Sequence, residues 1–129
     1  MSREVKDEEP LSFLVEQTKP FRKLLEEESE DHKELPVDIA WLSGRLAKAP
    51  DKMGDQVQGL SGLNLPVFKT RLKDSCCELP ARAAWRVYYA VSTKTQKVYL
   101  LFLHHKKEIE NPSKAFLQQK ISKAFSDGV

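Results

Sequence analysis

Cysteine is almost missing from this chain of 129 residues: Cys76 and Cys77 are the only two, and they are adjacent. Neighbouring cysteines close a bridge of normal geometry only by straining the peptide between them, so no structural disulfide is expected and a reducing, cytoplasmic setting fits. No Cys/His spacing resembles a zinc site and no glycine-rich phosphate loop occurs, so neither a metal nor another cofactor is expected. The longest apolar run, Val98 to Leu103, has six residues, against about 20 for a helix that spans a bilayer, and no membrane association is expected. The opening stretch MSREVKDEEP lacks the apolar core that a secretion signal requires.

What is present is the balance of a soluble globular protein, 40% apolar and 31% charged. The length suits one domain with one ordinary core, taken here as residues 11–129 behind an acidic leader of residues 1–10. The net charge of +2 hides a split: residues 1–65 carry a net −5 and residues 66–129 a net +7. A basic half is a modest signal for a polyanionic partner, because lysines and arginines that displace counterions from phosphates supply affinity without sequence preference. Ordinary solvated charge is the competing reading.

Periodicity places the elements. Leu11 to Gln17 reads as a short strand with imperfect alternation. Thr18-Lys19-Pro20 is a helix start, with Thr as cap and Pro in the first turn, and Phe21, Leu24 and Leu25 follow at helical spacing. The charged run Glu26 to Glu34, His32 included, is expected to be solvated. Pro36 opens a second helix in which Val37, Ile39, Ala40, Leu42 and Leu46 recur near every 3.6 residues until Pro50 stops it, with Trp41 at its edge. Residues 51–66 are expected to be a loop.

Beyond the loop the period becomes two. Val67 to Lys73 sets Phe68, Thr70 and Leu72 on one face and Val67, Lys69, Arg71 and Lys73 on the other, which makes a row of cations. Arg82 to Val91 sets Trp85, Val87, Tyr89 and Val91 against Arg86, Tyr88 and Ala90. Lys97 to His105 is apolar on both faces and is expected to be the central strand, with Leu101 and Phe102 on opposite sides and both buried. Asn111-Pro112-Ser113 is a helix start, and Ala115, Phe116, Gln119, Ile121 and Ala124 mark a last helix that runs to Phe125. Helices before a three-strand antiparallel meander, and one helix after it, make an α+β fold.

Three of these segments, Lys69-Thr70-Arg71, Trp85-Arg86-Val87-Tyr88 and His104-His105-Lys106-Lys107, resemble the strand motifs of the RelE/ParE superfamily of toxins from type II toxin-antitoxin modules. The resemblance spans roughly residues 11–125, is best over 66–110, and in the ending KKEIENPSKAFLQQKISKAF is similar to the HigB-like branch. It implies a RelE/ParE-like small antiparallel sheet with an N-terminal helix pair and a C-terminal helix. It also implies a cognate antitoxin as partner, and mRNA cleavage, with the ribosome and mRNA as further partners. The gyrase-poisoning ParE branch and a non-catalytic binding protein of the same fold are the alternatives.

Cleavage by internal transfer needs the 2′-hydroxyl deprotonated, the 5′-oxygen protonated and the phosphate's growing charge stabilised. Arg71 and Arg86 are the candidates for the phosphate, since a guanidinium fork offers parallel donors and stays charged. The competing reading of Arg86 is a structural ion pair. Lys69 is a candidate phosphate ligand or base, and Lys73 extends its row. His104 and His105 are candidate acids or bases; alternation allows only one of them on each face, and a strand-end His is more often surface. Lys106 and Lys107 stand where the family often places a phosphate-binding cation, and Tyr88 is either a base-stacking residue or packing. Several ribonuclease members carry a tyrosine near the C-terminus. None follows Tyr99 here, so the resemblance passes that role to His104 or His105.

Overall fold

The computed structural model describes residues 12–60, 65–75, 84–109 and 112–128. The leader, Leu11, Cys76, Cys77, Arg82 and Asn111 lie outside the described residues. Strand β1, Leu14–Gln17, is the end of the expected first strand; helix α1, Lys19–Ser29, and helix α2, Leu35–Lys48, follow. A 3₁₀ turn, Pro50–Lys52, leads to β2, Asp55–Gln56. Then come β3, Val67–Leu72, β4, Trp85–Ser92, β5, Lys97–His105, and helix α3, Lys114–Gly128.

The sheet order is β1-β5-β4-β3-β2, with β1 parallel to β5 and the other pairs antiparallel. The meander β3-β4-β5 is therefore as expected, but the middle of the five strands is β4 rather than Lys97 to His105. The reason is β2, which lies in the segment expected to be a loop. Two residues are too few to carry an alternation signal. Gly54 lets this segment reach the sheet, because a Cβ there would fall on the carbonyl of Lys69.

Thr18 caps α1 and anchors it: its Oγ1 accepts from the Phe21 amide and donates to the Leu100 carbonyl at 2.8 Å. That second bond ties the start of α1 to β5. In α2 the buried stripe is Leu35, Ile39, Leu42 and Leu46, while Val37, Ala40 and Trp41 face solvent. The expected register of α2 is thus corrected, with Pro36 inside the first turn instead of opening it. Asp38, buried on this helix, accepts from the Ser75 amide and hydroxyl, which satisfies its carboxylate.

Two apolar layers sandwich the sheet. On one face α1 and α2 pack Phe21, Ile39, Leu42 and Leu46 against Leu72, Trp85, Val87, Tyr89, Leu100 and Leu103. On the other, α3 packs Leu117, Ile121 and Ala124 against Val67, Tyr88, Ala90, Leu101 and Phe102. Ala115 and Gln119 are on the exposed side of α3. Leu101 and Phe102 are both buried but share this second layer rather than lying on opposite faces. The cause is a β-bulge: Tyr88 pairs with Phe102 while Tyr89 pairs with Leu100, which leaves Leu101 as an extra residue on β5. Every side chain of β5 beyond the bulge has changed face relative to strict alternation.

Candidate nucleic-acid interface

Register across three strands assembles the basic face. Arg71 on β3 stands opposite Arg86 on β4, which stands opposite His104 on β5. The next row is Lys69, Tyr88 and Phe102. The bulge brings His104 into this set, because unbroken alternation from Leu100 would have turned it to the α1/α2 side and His105 to this one. Lys69 and Arg71 are exposed, Arg86 is 9% exposed, and His104 and Tyr88 are 4% and 1% exposed. Lys69 and Arg71 thus form the accessible edge of the site, with Arg86, Tyr88 and His104 behind them.

The buried members are coupled. His104 Nε2 and the Tyr88 hydroxyl share a hydrogen bond of 3.2 Å, and their rings stack at 5.6 Å. Phe102 adjoins both, with ring centroids 5.9 Å from Tyr88 and 5.8 Å from His104. Burial pushes the Tyr88 phenol up to about 12, against a downward pull from Arg86. Burial also holds His104 below its usual value; Arg86 and Lys69 add to the effect, and the nearby backbone of His105 and Ile109 tempers it. The imidazole is therefore neutral at pH 7 and keeps a lone pair for a proton. Arg86 is lowered by burial and then by the Arg71 guanidinium across the ladder, a like-charge pairing that a bound anion would relieve. One bond of Arg86 runs to the carbonyl of Trp85 at 3.2 Å.

The other named candidates lie at the margins. Lys73 is exposed just past the end of β3, and Lys106 and Lys107, half-buried and exposed, occupy the turn after β5. His105 is separated from the row: it points to the α1/α2 face, where its Nε2 lies 3.3 Å from Asp74 Oδ2 and its Nδ1 accepts from the Lys107 amide at 3.2 Å. With Nδ1 an acceptor, Nε2 carries the proton and donates to Asp74.

The expectation that His32 is solvated is corrected. Its Nδ1 lies 3.5 Å from the same Asp74 oxygen and its side chain is 20% exposed. The ring stacks on His105 at 5.5 Å, and Trp85 stands nearly perpendicular to both imidazoles with ring centroids 4.9 and 4.8 Å away. Asp74 was not singled out from the sequence, and only tertiary contact joins it to His32 and His105. Among the described residues no group of acidic, His and Cys side chains is arranged to hold a metal ion, and no helix is long and apolar enough to cross a membrane.

Neither a protein-family profile nor a curated protein matches the sequence. Among solved structures, the chain is similar to a chain of the toxin-antitoxin complex RelBE2 from Mycobacterium tuberculosis, with a TM-score of 0.54 and 18% identity over 75% of this chain and 94% of that one. At that identity the likeness is one of fold: the chain shares the α+β fold of a chain of the RelBE2 complex, as expected from the sequence.

Proposed function

We propose that this chain is the toxin of a toxin-antitoxin module, held by a cognate antitoxin, and that its basic sheet face engages mRNA on the ribosome as an endoribonuclease. The observation that carries the reading is the cross-strand row Arg71, Arg86 and His104. Two guanidinium forks bracket a position for one phosphodiester, and a neutral imidazole beside them is the group that moves a proton. Lys69, exposed in the adjoining row, adds charge for the flanking backbone. Arg71 and Arg86 stabilise the charge that grows on the phosphate as the 2′-oxygen attacks and the 5′-oxygen leaves. His104 takes or gives the proton, with Tyr88 orienting its ring through Nε2.

One observation favours a second reading. Tyr88 and His104 are almost wholly shielded from solvent, and a gyrase-directed toxin of the same fold that grips its target through Lys69, Arg71 and Arg86 needs no proton transfer. Induction of the wild type, Arg86→Ala and His104→Gln in bacterial cells, with 5′ ends of mRNA mapped, separates the two. The nuclease yields new ends that vanish with either substitution. Growth arrest without new ends, undiminished in His104→Gln, selects the gyrase-type reading.

A further inference from the structure

Between α1 and α3 runs a cleft of about 610 Å³ whose floor is Leu101 and Phe102 of β5 and whose walls present Lys19 and Lys23 from α1 and Lys120 and Lys123 from α3. We propose that this cleft is a second binding site for the sugar-phosphate backbone of single-stranded RNA, continuing the track that begins at Arg71 and Arg86. The inference rests on the RNA-binding reading of that row and adds where the rest of the strand lies.

The charges are placed against the interest of the free protein. Lys19 and Lys23 are four residues apart and Lys120 and Lys123 three apart, so each wall sets like charges on one helix face, a mildly repulsive arrangement. Lys19 also lies in the first turn of α1, where the helix dipole is positive and no acidic residue is present. An anion seated between the walls relieves both. Glu27 is the carboxylate of the cleft, leaving four cations against one acid among its lining residues.

Charge selects the occupant. Four lysines against one carboxylate disfavour an uncharged amphipathic protein helix, the usual occupant of a groove, although Pro20 and Leu24 add apolar surface to a floor where Leu101 is 1% and Phe102 5% exposed. All four lysines are exposed. Lysine ammonium groups on flexible stems suit a phosphate chain of variable geometry. Continuity supplies the direction, since Phe102 forms the cleft floor and its ring also adjoins Tyr88 and His104. A strand whose phosphate sits at Arg71 and Arg86 reaches the lysine cleft by skirting α3, which covers Phe102.

The test uses the full chain and a fluorescein-labelled oligouridylate of about 12 nucleotides, within the site sizes of single-strand binders. Affinity is measured by anisotropy against salt for wild type, Arg71→Ala and the double variant Lys23→Gln/Lys120→Gln, which takes one charge from each wall. The expected result is weaker binding in the double variant, with the salt slope smaller by about 0.7 for each lysine removed. Circular dichroism confirms the fold of these surface variants. Unchanged affinity and slope in the double variant, while Arg71→Ala weakens binding, overturns the cleft and leaves the RNA-binding face standing. If Arg71→Ala binds like wild type and the double variant does not, the cleft stands and the reading of the row falls. RNA binding by none of the proteins removes both. Loss of a poly-glutamate ligand in the double variant with RNA binding intact assigns the cleft to an acidic protein segment and overturns the proposal.

Discussion

The hydroxyl of Tyr88 lies 3.2 Å from Nε2 of His104, joining β4 to β5 in a site that little solvent reaches. Removing one partner strands the other. Tyr88→Phe is expected to lower unfolding free energy by about 1–3 kcal/mol, the cost of an unsatisfied buried polar group. The double change Tyr88→Phe/His104→Phe is expected to cost less than the sum of the single ones. Urea denaturation of all four proteins gives the coupling, and strict additivity excludes the bond.

Acid weakens the fold through His104. Its folded value is held below the ordinary 6.5 by burial and by Arg86 and Lys69, so the unfolded chain takes up the proton at a higher pH than the folded one. The stability this group contributes is therefore complete above 6.5 and is lost as the pH falls through the lowered value. In thermal melts from pH 8 to 5, His104→Gln is expected to show a shallower loss of Tm on the acid side than wild type. Parallel profiles would show that His104 does not titrate abnormally.

The contact of His105 with Asp74 is expected to serve stability and not RNA binding. Asp74→Ala leaves the His105 Nε2 proton without its acceptor in a buried site and is expected to destabilise by about 1–3 kcal/mol. RNA affinity at a temperature where the variant is fully folded is expected to equal that of the wild type. A loss of affinity in the folded variant would place Asp74 and His105 in the interface after all.

The bulge residue fills the layer under α3. Leu101→Ala is expected to cost about 2–5 kcal/mol, the range for truncating a large buried aliphatic side chain, and Ile121→Ala, its fully buried neighbour in that layer, a similar amount. Chemical denaturation checks both. A cost under 1 kcal/mol for Leu101→Ala, well below the usual core range, would mean that the side chain does not pack between β5 and α3.

Local rules read directly from the residues determined much of this protein. Thr18-Lys19-Pro20 specified a capped helix start, and alternation put Lys69 with Arg71, and Arg86 with Tyr88, each on one face of its strand. Both statements depend only on neighbours in the chain and on the periods of helix and strand, which hold wherever the element sits. Tertiary structure decided which of two adjacent histidines joins the arginines. A single extra residue at Leu101 turns His104 toward Arg86 and sends His105 to Asp74. A bulge follows from how β5 must fit β4 and α3 together, which strict alternation within one strand does not register. Likewise His32, in a run of charges that reads as solvent-facing, is drawn under Trp85 by a carboxylate remote in sequence.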